Sequence, residues 1–163
     1  MKNVQTTDGA TPDLDALVAA YSALQRQNVR ITTMAAEHFS IGPTDLRALM
    51  YAAWNVHLTP KQLADSLELT TGATTSLIDR VDRAGLLERR PHPTDRRSVT
   101  LELTDLGREA VDFVTQTYRA AFVDALPASD HVAIARALRL IAGSLETILT
   151  TAPGDVRAEG EGS

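Results

Sequence analysis

Apolar positions recur in steps of three and four over most of the chain and in steps of two over one short stretch. Leu14, Leu17, Tyr21, Leu24, Asn28, Ile31, Ala35 and His38 share one face of a long helix. Thr11-Pro12-Asp13 signals its start, a capping residue followed by proline at the first helical position. The helix is predicted to stop before Gly42-Pro43, and the same pair opens a second helix carrying Leu46, Leu49, Met50 and Ala53. Thr59-Pro60-Lys61-Gln62 starts a third in capping-box spacing, ending near Ser66, and Glu68-Leu69-Thr70 makes a turn. A fourth helix runs from about Thr71 to Ala84 with Ala73, Leu77, Ile78 and Val81 inward, and Gly85 is placed to end it.

After Gly85 the period changes. Leu86 to Arg90 reads as a short strand, Pro91-His92-Pro93-Thr94-Asp95 as a turn-rich loop, and Val99, Leu101 and Leu103 alternate with polar residues. These make a two-stranded hairpin with a charged tip. Thr104 caps a further helix with Leu106, Ala110, Phe113, Val114, Thr117, Tyr118, Ala121 and Phe122 along one side, ended by Pro127. A last helix from about Ser129 carries Ile134, Leu138, Ile141, Leu145 and Ile148, close to a heptad seam. The fold class expected is mainly α with a small β-hairpin wing.

Composition narrows the chemistry. The 163 residues are 44% apolar and include no cysteine, which removes disulfides, thiolate metal sites and thiol redox sensing. No run of 18 apolar residues is present and Met1–Ala10 has no apolar signal segment, so a cytoplasmic protein with no membrane role is expected. His38, His57, His92 and His131 stand apart with no partner at ligand spacing, so neither a metal nor a cofactor is expected. Ser40, Ser66 and Ser98 sit in no activating motif, and no enzyme is expected. Residues 1–10 and 153–163 are polar or rich in Gly and Glu, and are expected to be disordered.

The net charge of −5 speaks against nucleic acid until the charges are placed. Between Arg80 and Arg97 six arginines face three acids, a local +3 that leaves −8 for the rest. The order short helix, tight turn, helix, hairpin is a helix-turn-helix followed by a wing, which suits DNA: the second helix enters the major groove with its N-terminal part against base edges. Thr70-Thr71-Gly72-Ala73-Thr74-Thr75-Ser76 is rich in small hydroxyl residues that allow close approach, with Arg80 and Arg83 one turn on. Arg89, Arg90, Arg96 and Arg97 lie on the hairpin, where a tip arginine can enter a narrow minor groove. Surface ion pairing is the alternative for Arg83, Arg89 and Arg90.

Leu58 to Ala64, Thr70 to Val81, Gly85-Leu86-Leu87-Glu88-Arg89, Asp95-Arg96-Arg97 and Leu103-Thr104-Asp105-Leu106-Gly107 together resemble the MarR family of transcriptional regulators, from about Asp13 to Thr150. The resemblance implies a homodimer that binds double-stranded DNA at a pseudo-palindromic operator, usually as a repressor, and is released in many members by a small aromatic or phenolic effector. By position it assigns Thr71, Gly72, Thr75, Ser76 and Arg80 to the recognition helix, Arg96 and Arg97 to the wing, and Asp95 to organising the wing through an arginine. Ser76 stands where some relatives carry a longer basic residue, so base preference does not transfer. The family's thiol-based oxidant sensing is excluded here. The implied layout is a winged helix-turn-helix at 42–103 and a helical dimerisation region at 11–41 and 104–152. Tyr21, Met50, Trp54 and His57 fall where effectors bind in the family's architecture, with core filling as the alternative. The alternative for the whole protein is a winged helix used for protein contacts, with no specific DNA binding.

Overall fold

A computed structural model describes residues 11–95 and 98–151. The ends expected to be disordered, 1–10 and 153–163, lie outside the described residues, as do Arg96 and Arg97. Along the chain run α1 (Thr11–His38), α2 (Pro43–Trp54), α3 (Pro60–Leu67), α4 (Thr71–Arg83), β1 (Leu87–Pro91), β2 (Val99–Leu103), α5 (Asp105–Ala125) and α6 (His131–Thr151). A short 3-10 turn at Ala128–Asp130 precedes α6, so the last helix starts two residues later than the spacing suggests. This is the mainly helical fold with a β-hairpin wing. It divides into two compact units, one up to Tyr118 and one from Arg119 onward, and α5 runs through the division.

The helices start and stop where local chemistry tells them to. Thr59 accepts the Gln62 N–H at 3.3 Å while Gln62 Oε1 accepts the Thr59 N–H at 2.8 Å, a complete capping box. Thr70 accepts the Ala73 N–H at 3.3 Å and starts α4. Three helices close in the same way, with an N–H reaching back five residues: Ile41 to Ala36 at 2.9 Å, Leu69 to Ala64 at 3.0 Å and Leu86 to Val81 at 3.0 Å. Each closure needs a left-handed residue, supplied by Ser40, Glu68 and Gly85. Glycine alone adopts that region without steric cost.

In the first unit one core joins the elements. Leu46, Ala48 and Leu49 of α2, Leu63 and Leu67 of α3, and Leu77, Ile78 and Val81 of α4 are buried together with Leu86, Leu87 and Leu101. Ala35 and Ala36 of α1 and Ala110, Val111 and Val114 of α5 belong to the same cluster. The C-terminal end of α1 and the start of α5 are therefore part of the winged body. The strands pair antiparallel from Leu87 opposite Leu103 to Pro91 opposite Val99. The Leu101 N–H also donates to the Leu58 carbonyl at 2.8 Å, pinning the wing's root to the loop before α3.

The first turn of α5 sits against the end of α4. Thr104 Oγ1 accepts the Gly107 N–H at 3.1 Å and donates to the Gly85 carbonyl at 2.6 Å, while the Thr104 N–H reaches the Leu86 carbonyl at 3.2 Å. A Cβ on Gly107 would lie 1.9 Å from the Leu86 carbonyl oxygen. The glycine of Leu-Thr-x-x-Gly is thus required by backbone contact. In the second unit, α6 buries none of its residues, and Leu138, Ile141, Leu145, Ile148 and Leu149 remain exposed. Among the described residues no helix is long and apolar enough to cross a membrane.

Gly107→Ala is expected to cost about 2–3 kcal/mol, because backbone must move to admit the methyl group. Gly85→Ala meets open space but keeps a φ of +70°, and should cost about 1 kcal/mol. Urea unfolding of the two variants checks both the size and the order of these losses.

Candidate nucleic-acid interface

Helix α4 has two sides. Thr74, Leu77, Ile78 and Val81 are buried, whereas Thr71, Gly72, Ala73, Thr75 and Ser76 are exposed, so Thr74 takes the inward place expected of Ala73. The outward residues are all small, so a groove wall can approach the helix backbone. Thr75 donates to the Thr71 carbonyl at 2.9 Å and Ser76 to the Gly72 carbonyl at 3.0 Å. With their protons used in this way, both hydroxyl oxygens present lone pairs outward, suited to accepting from a base amino group. Four of the DNA-facing residues expected from the sequence, Thr71, Gly72, Thr75 and Ser76, therefore share one open face.

The arginines divide. Arg80 forks onto Asp45 of α2, with Nη2 at 2.6 Å from Oδ1 and Nε at 3.3 Å from Oδ2. Asp45 has a side chain only 6% exposed, against 51% for Arg80. Its Oδ2 also accepts the Gly42 N–H at 3.2 Å, so one carboxylate caps α2 and holds α4. Hydrogen bonding and then the charge of Asp45 raise the Arg80 pKa, against a smaller lowering by burial, so Arg80 stays charged at any physiological pH. Arg89 of β1 bridges Asp79 and Asp82, one turn apart on α4, with the Asp82 contact at 2.9 Å. Arg90 pairs with Glu88 at 2.7 Å. Arg83 is exposed and makes no ion pair among the described residues.

At the wing, His92 also holds the loop, a role the sequence did not mark. His92 Nδ1 accepts the N–H groups of Thr94 at 3.3 Å and Asp95 at 3.2 Å, which places the imidazole proton on Nε2. The Asp95 carbonyl in turn accepts the Ser98 N–H at 3.0 Å, and the Ser98 carbonyl the His92 N–H at 3.1 Å. The Pro-His-Pro spelling signals a turn, but not that the ring faces its own loop. The expected wing contacts Arg96 and Arg97 lie outside the described residues.

Of the four residues expected around an effector, one lines a concave site among the described residues. A concave site of about 480 Å³ is lined by Ala52, Ala53, His57, Leu103, Arg108 and Asp112, among others. His57 belongs to it, while Tyr21, Met50 and Trp54 are not among its lining residues. Tyr21 is exposed on α1, Met50 packs partly buried against the core, and Trp54 is 66% exposed with its ring edge-on to Tyr51. Asn28, on the α1 seam, accepts from the Tyr118 hydroxyl within the same unit, and desolvation raises the Tyr118 pKa. Among the described residues no group of three or more His, Asp or Glu side chains is placed to hold a metal ion.

This geometry has relatives. Residues 39–98 match the MarR family. The transcriptional regulator PecS of Dickeya dadantii is 36% identical over 61 residues, 37% of this chain and 37% of its own length. The transcriptional repressor YetL of Bacillus subtilis is 32% identical over 73 residues, 45% of this chain and 44% of its own. The matched stretches thus span less than half of these two relatives. A solved structure of S. aureus MepR bound to an oligodeoxyribonucleotide superposes with a TM-score of 0.55 at 19% identity, covering 79% of this chain and 97% of that one. At that identity the fold is what the two share. Residues 39–98 thus resemble the MarR family in sequence, and with β2 they fold as a helix-turn-helix followed by a two-stranded wing.

Proposed function

We propose that the protein is a sequence-specific DNA-binding transcriptional regulator, acting as a repressor. The observation that carries this reading is the exposed, small, hydroxyl-rich start of α4, raised on a helix-turn-helix and flanked by a wing. Thr71, Gly72, Thr75 and Ser76 would face base edges, and Arg96 and Arg97 the neighbouring minor groove. MepR, which shares the fold, is bound to DNA in its structure, and YetL is named a repressor; both support the reading.

The active species in this proposal is a homodimer. Leu14, Leu17, Val18, Tyr21 and Leu24 of α1 stay exposed, as does the apolar side of α6. A second copy of the chain would cover such faces, and two α4 helices would then read half-sites about 10 base pairs apart. A small aromatic or phenolic effector is part of the proposal, and the concave site beside His57 is the place to look for it. A protein-contact role without specific DNA binding remains the competing reading, favoured by the net charge of −5 and by the arginines engaged within the chain.

Selection of genomic fragments on the intact protein, followed by titration of the recovered duplex, tests the proposal. Tight binding that collapses on unrelated duplex supports it; no retention of any duplex at physiological salt supports the competing reading. The salt dependence is expected to be moderate. If Arg83, Arg96 and Arg97 alone contact phosphate, a dimer gives a log–log slope of about −5, whereas all six arginines would give about −11. Arg80→Ala should destabilise the fold by about 1–3 kcal/mol, since the buried Asp45 carboxylate loses its partner. Asp45→Asn should cost less, because the amide oxygen can still accept from Gly42 and Arg80. Urea unfolding of both variants, beside their duplex affinities, separates a support role for Arg80 from a direct contact.

A further inference from the structure

We infer that Arg89 is a positioning residue that straps the wing to the recognition helix, and that it does not bind phosphate. The inference rests on the DNA-binding reading above. Asp79 and Asp82 lie three residues apart on α4 and so share the side of that helix turned to β1. Arg89 stands in the middle of β1, opposite Leu101 in the hairpin register. Its Nη1 takes Asp82 at 2.9 Å and its Nη2 takes Asp79, so one planar guanidinium joins two carboxylates of another element.

The position matters more than the strength. The three side chains are between 36% and 43% exposed, and single pairs of that kind contribute little. The root of the wing is already fixed by buried Leu87 and Leu101 and by the Leu101 to Leu58 hydrogen bond. Beyond the root, β1 turns exposed at Arg89, Arg90 and Pro91, whereas the β2 side stays packed, with Thr100 fully buried and the His92 ring 6.0 Å from that of His57. A two-stranded ribbon held along one strand can still twist at the other. Arg89 ties the exposed β1 side of the wing to α4, so recognition helix and wing keep one spacing, and a groove-spanning contact loses less conformational freedom on binding.

The charges give a test with opposite signs. Removing two carboxylates beside a DNA-binding surface ordinarily strengthens binding, by relieving repulsion. If the strap is what matters, the Asp79→Asn, Asp82→Asn double variant should instead bind the selected duplex about fivefold more weakly, as should Arg89→Ala. The salt slope of Arg89→Ala should match the unmodified protein. Hydrogen exchange of the β1 and β2 amides, measured without DNA, should quicken in both variants while urea midpoints stay nearly unchanged. Tighter binding by the double variant overturns the inference. So does a slope made shallower in Arg89→Ala by about 0.9 for each phosphate that Arg89 neutralises, which would mark direct binding. A fall in stability with affinity and wing exchange unchanged reduces Arg89 to a structural residue and also overturns it. If the unmodified protein retains no duplex, the DNA reading fails on its own, and the exchange rates alone decide the strap: faster wing exchange upholds it, unchanged exchange rejects it.

Discussion

The backbone contact between Gly107 and Leu86 is the joint on which the rest of the winged unit hangs. Four things meet there: the end of α4, the start of β1, the end of β2 and the first turn of α5. Thr104 bonds Gly85, Leu86 and Gly107 at once, and the space between α5 and Leu86 admits no side chain at position 107. Closing the hairpin at its base fixes the register that puts Leu87 and Leu101 into the core and leaves Arg89 and Arg90 outside. The left-handed Gly85 is part of the same joint, since it turns the chain from α4 into the wing while its carbonyl serves Thr104.

Around that joint the recognition helix is held from two sides. Asp45, nearly buried, grips Arg80 from α2, and Asp79 with Asp82 grips Arg89 from the wing. The two contacts differ in kind. A buried carboxylate cannot be left without its partner at low cost, so Arg80 is held by the penalty on Asp45. The Arg89 bridge lies in water and acts through geometry, three charges meeting where a ribbon leaves the core. Both arginines sit in a segment whose excess positive charge first pointed to DNA, yet much of that charge is balanced within the fold. In the proposed DNA-binding role, electrostatic attraction to a duplex would fall more heavily on Arg83 and the wing tip, and fit would come from the small outward residues of α4.

Away from the winged core the described residues leave apolar surface exposed. The N-terminal half of α1 and the whole of α6 expose leucine, isoleucine and valine in rows, and water does not favour such rows. The same seam changes role along α1: Leu14 to Leu24 are exposed, whereas Ala35 and Ala36 are fully buried against the winged core. Asn28 stands near the change and bonds Tyr118.

The sequence by itself determined the elements and their order. Capping residues, prolines and the switch from a period near 3.6 to a period of two depend on neighbours a few residues away, and those neighbours are written next to one another. Thr59 with Gln62, Thr70 before α4 and the turn at Gly85 behaved as local chemistry requires. Partner choice was decided only by the tertiary structure. Asp45 and Arg80 are 35 residues apart, and nothing local marks that carboxylate as the one buried beneath α4. His92 gave a turn signal without showing which way its ring would face, and of Tyr21, Met50, Trp54 and His57 only His57 lines the concave site beside α5. Local signals specify backbone conformation because φ and ψ are set over short range. Which charge meets which, and which side chains share a cavity, depends on how helices pack across long separations, and that follows only once the core is closed.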